Sequence, residues 1–406
     1  MDRLRCSPRQ CPGLGRWVRG MATALVALAI AVPAFAVEQK SASAGEVRAL
    51  WFTTASTVVA GTQGGGLFKS TDTGANWSRV AGFPAKYVWS IAQGGDGTLF
   101  AATTEGLYKS TDGATGAAWS ALTRDDTRAV AVSGSGASAL VLAGVQGVGV
   151  LRSTNGGSSF ADFSGGLDSL DVRSIFIQGT DAYLAAYNIL YVDPQTSIKT
   201  NANVGGVFKA VSAASAAGWT NINTQGSGTL DSKFITAVAV DGAGVLYAAS
   251  RDPEGAGSGK VHRIVSGSWT NPGTEATGLL YDVETLAVDR AVTTNVWAGS
   301  RALGPYKWNG TQWSRQIVIA TDPDLLTGVT AIATNGSGPA VVGTRGVGAM
   351  VSSNGASPWN LGAGLKADRV LAWTSHDSTA PSTYYVGLRS GGVMRSTKRD
   401  TAPTSR

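Results

Sequence analysis

Gly64-Gly65-Gly66-Leu67-Phe68-Lys69-Ser70-Thr71-Asp72-Thr73-Gly74-Ala75-Asn76-Trp77 is the most complete copy of a unit written eight times along the chain. Each unit reads as an apolar strand, a Gly-containing turn and a second strand ending in small residues. A Gly-Leu-Tyr-Lys-Ser-like third strand and a Trp-started fourth strand follow. A repeat of about 40 residues with four strands is the period of a propeller blade. The chain is therefore expected to be all-β, a β-propeller of four-stranded blades.

The first strand of each unit sets the ruler. It opens at Arg48, Trp89, Arg128, Arg173, Thr236, Glu284, Thr330 and Arg369, and small and branched residues follow, as an innermost strand around a channel requires. Outer strands open at Trp77, Trp119, Phe160, Trp219, Trp269, Trp313 and Trp359. Eight inner strands against seven outer ones read as eight blades, the last short of its outer strand. Seven blades plus a closing segment is the competing count. Closure matters because it removes exposed strand edges.

Residues 1–36 read as a secretory signal peptide: Arg3, Arg5, Arg9, Arg16 and Arg19 precede the apolar stretch Ala22 to Val32 and the small-x-small site Ala34-Phe35-Ala36. Residues 37–45 would be a linker, 46–398 the propeller and 399–406 a tail. Removal of the signal takes five arginines and one aspartate, so the formal net charge falls from +6 to +2. Cys6 and Cys11 leave with it, and the remaining domain must be held by its core and by closure. The expected setting is periplasmic or secreted, with no transmembrane segment after signal removal, and the expected state is a monomer. Near-neutral charge on an exported chain argues against nucleic acid as partner.

The turn Ser70-Thr71-Asp72-Thr73-Gly74-Ala75-Asn76-Trp77 resembles the Asp-box (bacterial neuraminidase repeat) of sialidase-type propellers. Ser110-Thr111-Asp112-Gly113 reaches Trp119 after a two-residue insertion, and Ser153-Thr154-Asn155-Gly156-Gly157-Ser158-Ser159-Phe160 is a degraded copy. Such a box works locally. Its Ser and Asp oxygens satisfy turn amides, Gly takes positive φ and Trp packs between blades. Ser70, Asp72, Gly74, Trp77, Ser110, Asp112 and Trp119 are accordingly structural, and none is expected to be catalytic. The compact spacing looks most like the photosystem II assembly factor family and its bacterial relatives, which the resemblance implies are binding propellers rather than enzymes. Sialidases and xyloglucan hydrolases share the box, so a glycoside hydrolase is the alternative. The sialidase Arg-Ile-Pro signature is absent, and Gln63 stands where a xyloglucan hydrolase is expected to carry an Asp.

Function is then a matter of surface. Strand direction alternates, so the start of strand one and the end of strand two share a face. Just past strand two stand Gln63, Thr104, Gln146, Asn188, Arg251, Arg301, Arg345 and Arg389. Together with Arg48, Trp89, Arg128, Arg173 and Arg369 they form an expected arginine-lined face. The guanidinium fork suits carboxylate, phosphate or sulfate, so the partner is expected to be an acidic protein segment or an anionic glycan. Asp171, Asp282, Glu284, Asp252 and Asp368 sit close enough in sequence to neutralise several of these arginines instead. Extra length at Ile189 to Val204, Asn223 to Phe234 and Asp252 to Lys260 is expected on the same face, with Tyr187, Tyr191, Tyr281 and Tyr306 nearby.

The chemistry for other functions is missing. His262 and His376 are the only histidines, so no zinc site and no Cys–His pair can be built, and no cofactor is expected. Gly257-Ser258-Gly259-Lys260 has Glu254 and Val261 where a phosphate loop needs Gly and Ser or Thr. Thr321-Asp322-Pro323-Asp324 is too short for a calcium loop.

Overall fold

A computed structural model describes residues 45–113, 118–188, 190–192, 199–201, 204–230, 232–251, 260–270, 282–289, 295–301, 303–316, 328–335, 339–355, 359–363, 365, 370–376, 383–388 and 393–396. Seven four-stranded antiparallel sheets follow one another as blades. Their inner strands are Gly45–Phe52, Val88–Gln93, Thr127–Ser133, Val172–Gln178, Ile235–Val240, Val283–Val288 and Val329–Thr334. Each packs against the inner strands before and after it, and the seventh packs on the first. The competing count of seven is thus the one the ring adopts. An eighth unit is a three-stranded sheet of Val370–His376, Thr383–Leu388 and Val393–Ser396. It takes no place between blades 1 and 7, which meet directly.

That meeting is well bonded. Thr330 Oγ1 donates to the Val47 carbonyl at 2.5 Å. Trp77 N donates to Ala363 O at 2.8 Å, and Ala363 N returns a bond to Ala75 O at 2.7 Å. Beneath them Val47, Phe68, Trp77, Ala331, Val341 and Leu365 form one buried cluster drawn from both blades.

The joints between blades repeat a single steric rule. The position opposite the start of each inner strand is Gly61, Ala102, Gly144, Ala185, Ala249, Gly299 or Gly343. A Cβ on Gly61 would stand 2.5 Å from Val88 Cγ1 of the next blade, and one on Gly343 would stand 2.5 Å from Val47 Cγ1. Gly144 faces Val172 and Gly299 faces Val329 in the same way. Small residues on one blade are the seat for a buried branched residue of the next.

A second repeated device is a β-bulge near the start of every inner strand. The register shifts fall between Val47 and Ala49, Val88 and Ser90, Val172 and Ser174, Ile235 and Ala237, Val283 and Thr285, and Val329 and Ala331. In blade 3, Thr127 and Ala129 flank the shift. The unpaired residues are Arg48, Trp89, Arg128, Arg173, Thr236, Glu284 and Thr330. A bulge releases one side chain from the two-sided alternation and re-aims it. In the eighth unit the shift falls between Val370 and Ala372, so the matching residue is Leu371. The sequence register had put Arg369 there, two residues too early; Arg369 itself lies outside the described residues.

In blades 1 to 3 a Ser-x-Asp or Ser-x-Asn turn joins the third and fourth strands by local bonding. Gly74 N donates to Ser70 Oγ at 2.8 Å, Ser70 Oγ donates to Asp72 Oδ1 at 2.7 Å, and Asn76 N donates to the same oxygen at 2.8 Å. Gly74 has φ +98°, which only glycine accepts freely. Those bonds hold the Asp72 carboxyl below its ordinary range, chiefly through the Asn76 side-chain and backbone amides. Blade 3 reproduces the geometry with an amide: Ser153 Oγ donates to Asn155 Oδ1 at 2.8 Å and Ser159 N to the same atom at 2.9 Å. In blade 2 the Ser110 hydroxyl donates to Asp112, and Trp119 stacks edge-on against Phe83 of blade 1 at 4.9 Å.

Candidate functional site

The inner strands enclose a cavity of about 820 Å³ along the ring axis. Bulge residues Arg48, Trp89, Arg128, Arg173, Glu284 and Thr330 line it at one mouth, joined by Tyr187 and Arg251. Two residues beyond each bulge lies a branched aliphatic: Leu50, Ile91, Val130, Ile175, Val238, Leu286 and Ile332 all line the same cavity. These side chains form an apolar collar below a charged rim. One period of sequence produces both, because bulge and collar positions have fixed spacing in every blade.

At the rim, charges pair in a regular way. Arg128 binds Asp126 at 2.6 Å and Arg173 binds Asp171 at 2.6 Å. Arg48 reaches Glu46 at 3.2 Å and, across blade 7, Glu284 at 3.1 Å. Glu284 also faces Arg251 at 3.7 Å, and Glu46 faces Arg345 at 3.4 Å. In three blades the acid stands two residues before the bulged arginine, which puts both side chains on the mouth face. Asp171 and Glu284 were legible as partners in the sequence. Glu46 and Asp126 were missed, although the acid-x-Arg spacing would have found them.

Aromatic rings complete the rim. The Trp89 ring lies between two guanidinium groups, with Arg128 at 4.2 Å and Arg48 at 5.5 Å from its centroid. Arg173 covers Tyr187 at 4.8 Å, and burial pushes the Tyr187 phenol up. Such stacking orients a cation without neutralising it. Tyr187, rather than Asn188, occupies the position after strand two in blade 4, since its N–H bonds Asp171 O as Arg251 N bonds Phe234 O. Gln63 accepts from Arg48 Nε at 3.4 Å and so serves the arginine network.

Arg251, Arg301 and Arg345 come from three consecutive blades. The Arg301 guanidinium is pushed below its ordinary value, first by burial and then by the charges of Arg251 and Arg345; Glu284 and Asp282 offset part of this. Asp282 itself has φ +46°, a left-handed conformation at the base of the blade 6 rim. Trp89 Nε1, Arg128 Nε and Arg251 Nε are buried donors with no acceptor among the described residues, and Asp126 Oδ1, Asp171 Oδ1 and Asp282 Oδ1 are buried acceptors with no donor there. Six described arginines thus meet five carboxylates, and the shortage of negative charge sits on blades 5 to 7.

Two expectations fall elsewhere. Arg389, Tyr281 and the loop containing Gly257 lie outside the described residues, as do Asp252 and Asp368. The Asn223 to Phe234 insertion forms a hairpin of Thr224–Gln225 and Gly228–Thr229. The hairpin lies against the outer strand of blade 5, where Ser227 N donates to Ser268 Oγ at 3.2 Å, while Phe234 at the end of the insertion packs edge-on against Tyr187 of the mouth at 5.4 Å. Tyr306 is buried between blades 5 and 6 and is packing rather than contact.

No family model matches the chain, and no curated protein matches it. Solved structures do. The Niastella koreensis GH74 enzyme superposes with a TM-score of 0.61 at 15% identity, covering 86% of this chain and 58% of that one. The Xanthomonas campestris GH74 xyloglucanase gives 0.58 at 15% identity over 85% and 58%. A YCF48 structure bound to a D1 peptide gives 0.52 at 12% identity over 75% of this chain and 92% of that one. The chain spans under two thirds of the length of the GH74 chains it matches. At such identity these likenesses establish one thing, that the chain has a β-propeller fold.

Proposed function

We propose that this chain is an exported, non-enzymatic Asp-box propeller that holds an acidic protein segment or an anionic glycan at its arginine-lined mouth. The observation that carries the reading is the crowding of Arg251, Arg301 and Arg345, where like charges are brought together with too few acids to balance them. Assembling cations in that way is costly unless an oxyanion offsets them. The 12%-identical YCF48 propeller was solved with a peptide bound, so the fold is compatible with such a role.

Glycan hydrolysis is the second reading, favoured by the GH74 likeness and by carboxylates around one mouth. A glycosidase needs one carboxyl group held protonated as an acid. Glu46, Asp126, Asp171 and Glu284 are each taken up in an ion pair with a guanidinium.

The test is binding to arrays of acidic peptides and anionic glycans by wild type and by the Arg251→Ala, Arg301→Ala, Arg345→Ala triple variant. Salt-sensitive retention by wild type alone supports the proposal. Equal retention by both overturns it, and turnover of xyloglucan that is lost in Glu284→Gln would establish the hydrolase.

A further inference from the structure

The charge count and the collar together narrow what the mouth can accept, an argument that rests on the binding reading above. On blades 5, 6, 7 and 1 four arginines (Arg48, Arg251, Arg301 and Arg345) face three carboxylates (Glu46, Asp282 and Glu284). On blades 3 and 4 each arginine has its own aspartate. The local surplus is one positive charge, which a single anionic head is enough to offset.

Directly beneath the head position the wall turns aliphatic on all seven blades, and beyond this collar the lining becomes polar again at Thr54, Asp289, Thr334 and Asn335. From bulge to the last lining residues the inner strands run about four residues, or about 13 Å at a strand's rise. A volume of about 820 Å³ is within the range of small-molecule sites. A wholly polar ligand would leave the collar in contact with water. A wholly apolar one would leave the guanidinium surplus uncompensated.

We propose that the channel binds a single-chain amphipathic oxyanion, a long-chain carboxylate or alkyl phosphate, with its head among Arg48, Arg251 and Arg301 and its chain along the collar from Leu50 to Ile332. Arg48 and Arg251 line the cavity itself, and the charges of Arg251 and Arg301 act on one another. Glu284, which contacts both Arg48 and Arg251, is the group the incoming head would have to share them with.

Titration calorimetry on the full mature chain tests this with octanoate, decanoate and dodecanoate below their micelle concentrations. Affinity should rise about fourfold for each added methylene, the ratio that burial of a CH₂ supplies. Dodecanol should bind at least tenfold more weakly than dodecanoate, and Arg301→Gln should weaken dodecanoate by a similar factor while leaving dodecanol unchanged. Comparing dodecyl phosphate with dodecanoate distinguishes the two head chemistries. Affinity that ignores chain length in wild type overturns the proposal, with no variant needed. If acidic peptides still bind in an arginine-dependent way, that result leaves the mouth as a binding face and removes only the amphipath. Loss of all arginine-dependent binding removes both.

Discussion

Ring closure between blades 7 and 1 can be tested at one atom pair. Gly343 carries no positive φ, so an alanine there meets no backbone penalty; the cost is steric, a Cβ at 2.5 Å from Val47 Cγ1. Overpacking of this kind destabilises by about 1–3 kcal/mol. Val47 is fully buried, and Val47→Ala removes two carbons, about 1.6 kcal/mol of transfer energy before any cavity term. The double variant removes the closer contact, Cγ1 at 2.5 Å, and leaves residue 47 Cβ at 2.8 Å, so its loss should fall short of the sum by about 1 kcal/mol, the coupling expected of touching residues. Urea denaturation of the four proteins reads it. The Gly61 and Val88 pair, with the same 2.5 Å approach and within the ring under either blade count, serves as the positive control. If the eighth unit instead sat between blades 7 and 1, Gly343 would face that unit. The two changes would then add within about 0.5 kcal/mol while the control pair remained coupled. That result would refute the seven-blade closure.

Asp72→Asn should cost less than Asp72→Ala, because its amide oxygen can still accept from Asn76 N as Asn155 does from Ser159 N, but it gives up the bond from Asn76 Nδ2; Asp72→Ala should cost about 1–2 kcal/mol by urea melt. The Asp72 carboxyl is held low in the folded state, so its contribution is full above about pH 4 and is lost as pH falls through the folded value; the gap between wild type and Asp72→Ala should narrow over that range. Arg301→Gln relieves like-charge crowding and should stabilise by about 0.5 kcal/mol at low salt, a gain that 1 M salt should erase. Trp219→Phe removes the indole donor to the buried Phe163 carbonyl, a bond of 2.7 Å, and should cost about 1–3 kcal/mol in a thermal or urea melt.

The fold was legible because its determinants are local and repeated. Strand, turn and Trp positions recur with the period of a propeller blade, and the side-chain bonds of the Ser70 to Trp77 turn fall within its own eight residues. The count was not settled by the same evidence. Whether Val47 seats on Gly343 or on a later glycine depends on contacts some 300 residues apart, which a repeat leaves degenerate: Gly387 obeys the local pattern as well as Gly343 does. At the mouth the arginines at Arg48, Arg128, Arg173 and Arg251 were found from register alone. Their acids were only half found, because Glu46 and Asp126 become neighbours of the bulged arginine through a backbone irregularity that leaves no mark in composition. Asn188 was read for Tyr187 for a similar reason, since a slip of one residue exchanges the two faces of a strand.

The bulges separate two tasks that a regular strand would force onto the same residues. In each blade the residue before the bulge is buried in the joint with the preceding blade, while the bulged residue belongs to neither sheet face. Arg, Trp, Thr and Glu already occupy that position in a single chain without disturbing the valines, isoleucine and threonine beside them. The ring is in effect a frame with five exchangeable slots around one opening, Thr236 and Thr330 being held by bonds to the backbone of the next blade. Recognition could be rewritten slot by slot, by substitution alone, with no new loop and no repacking of the wall behind it.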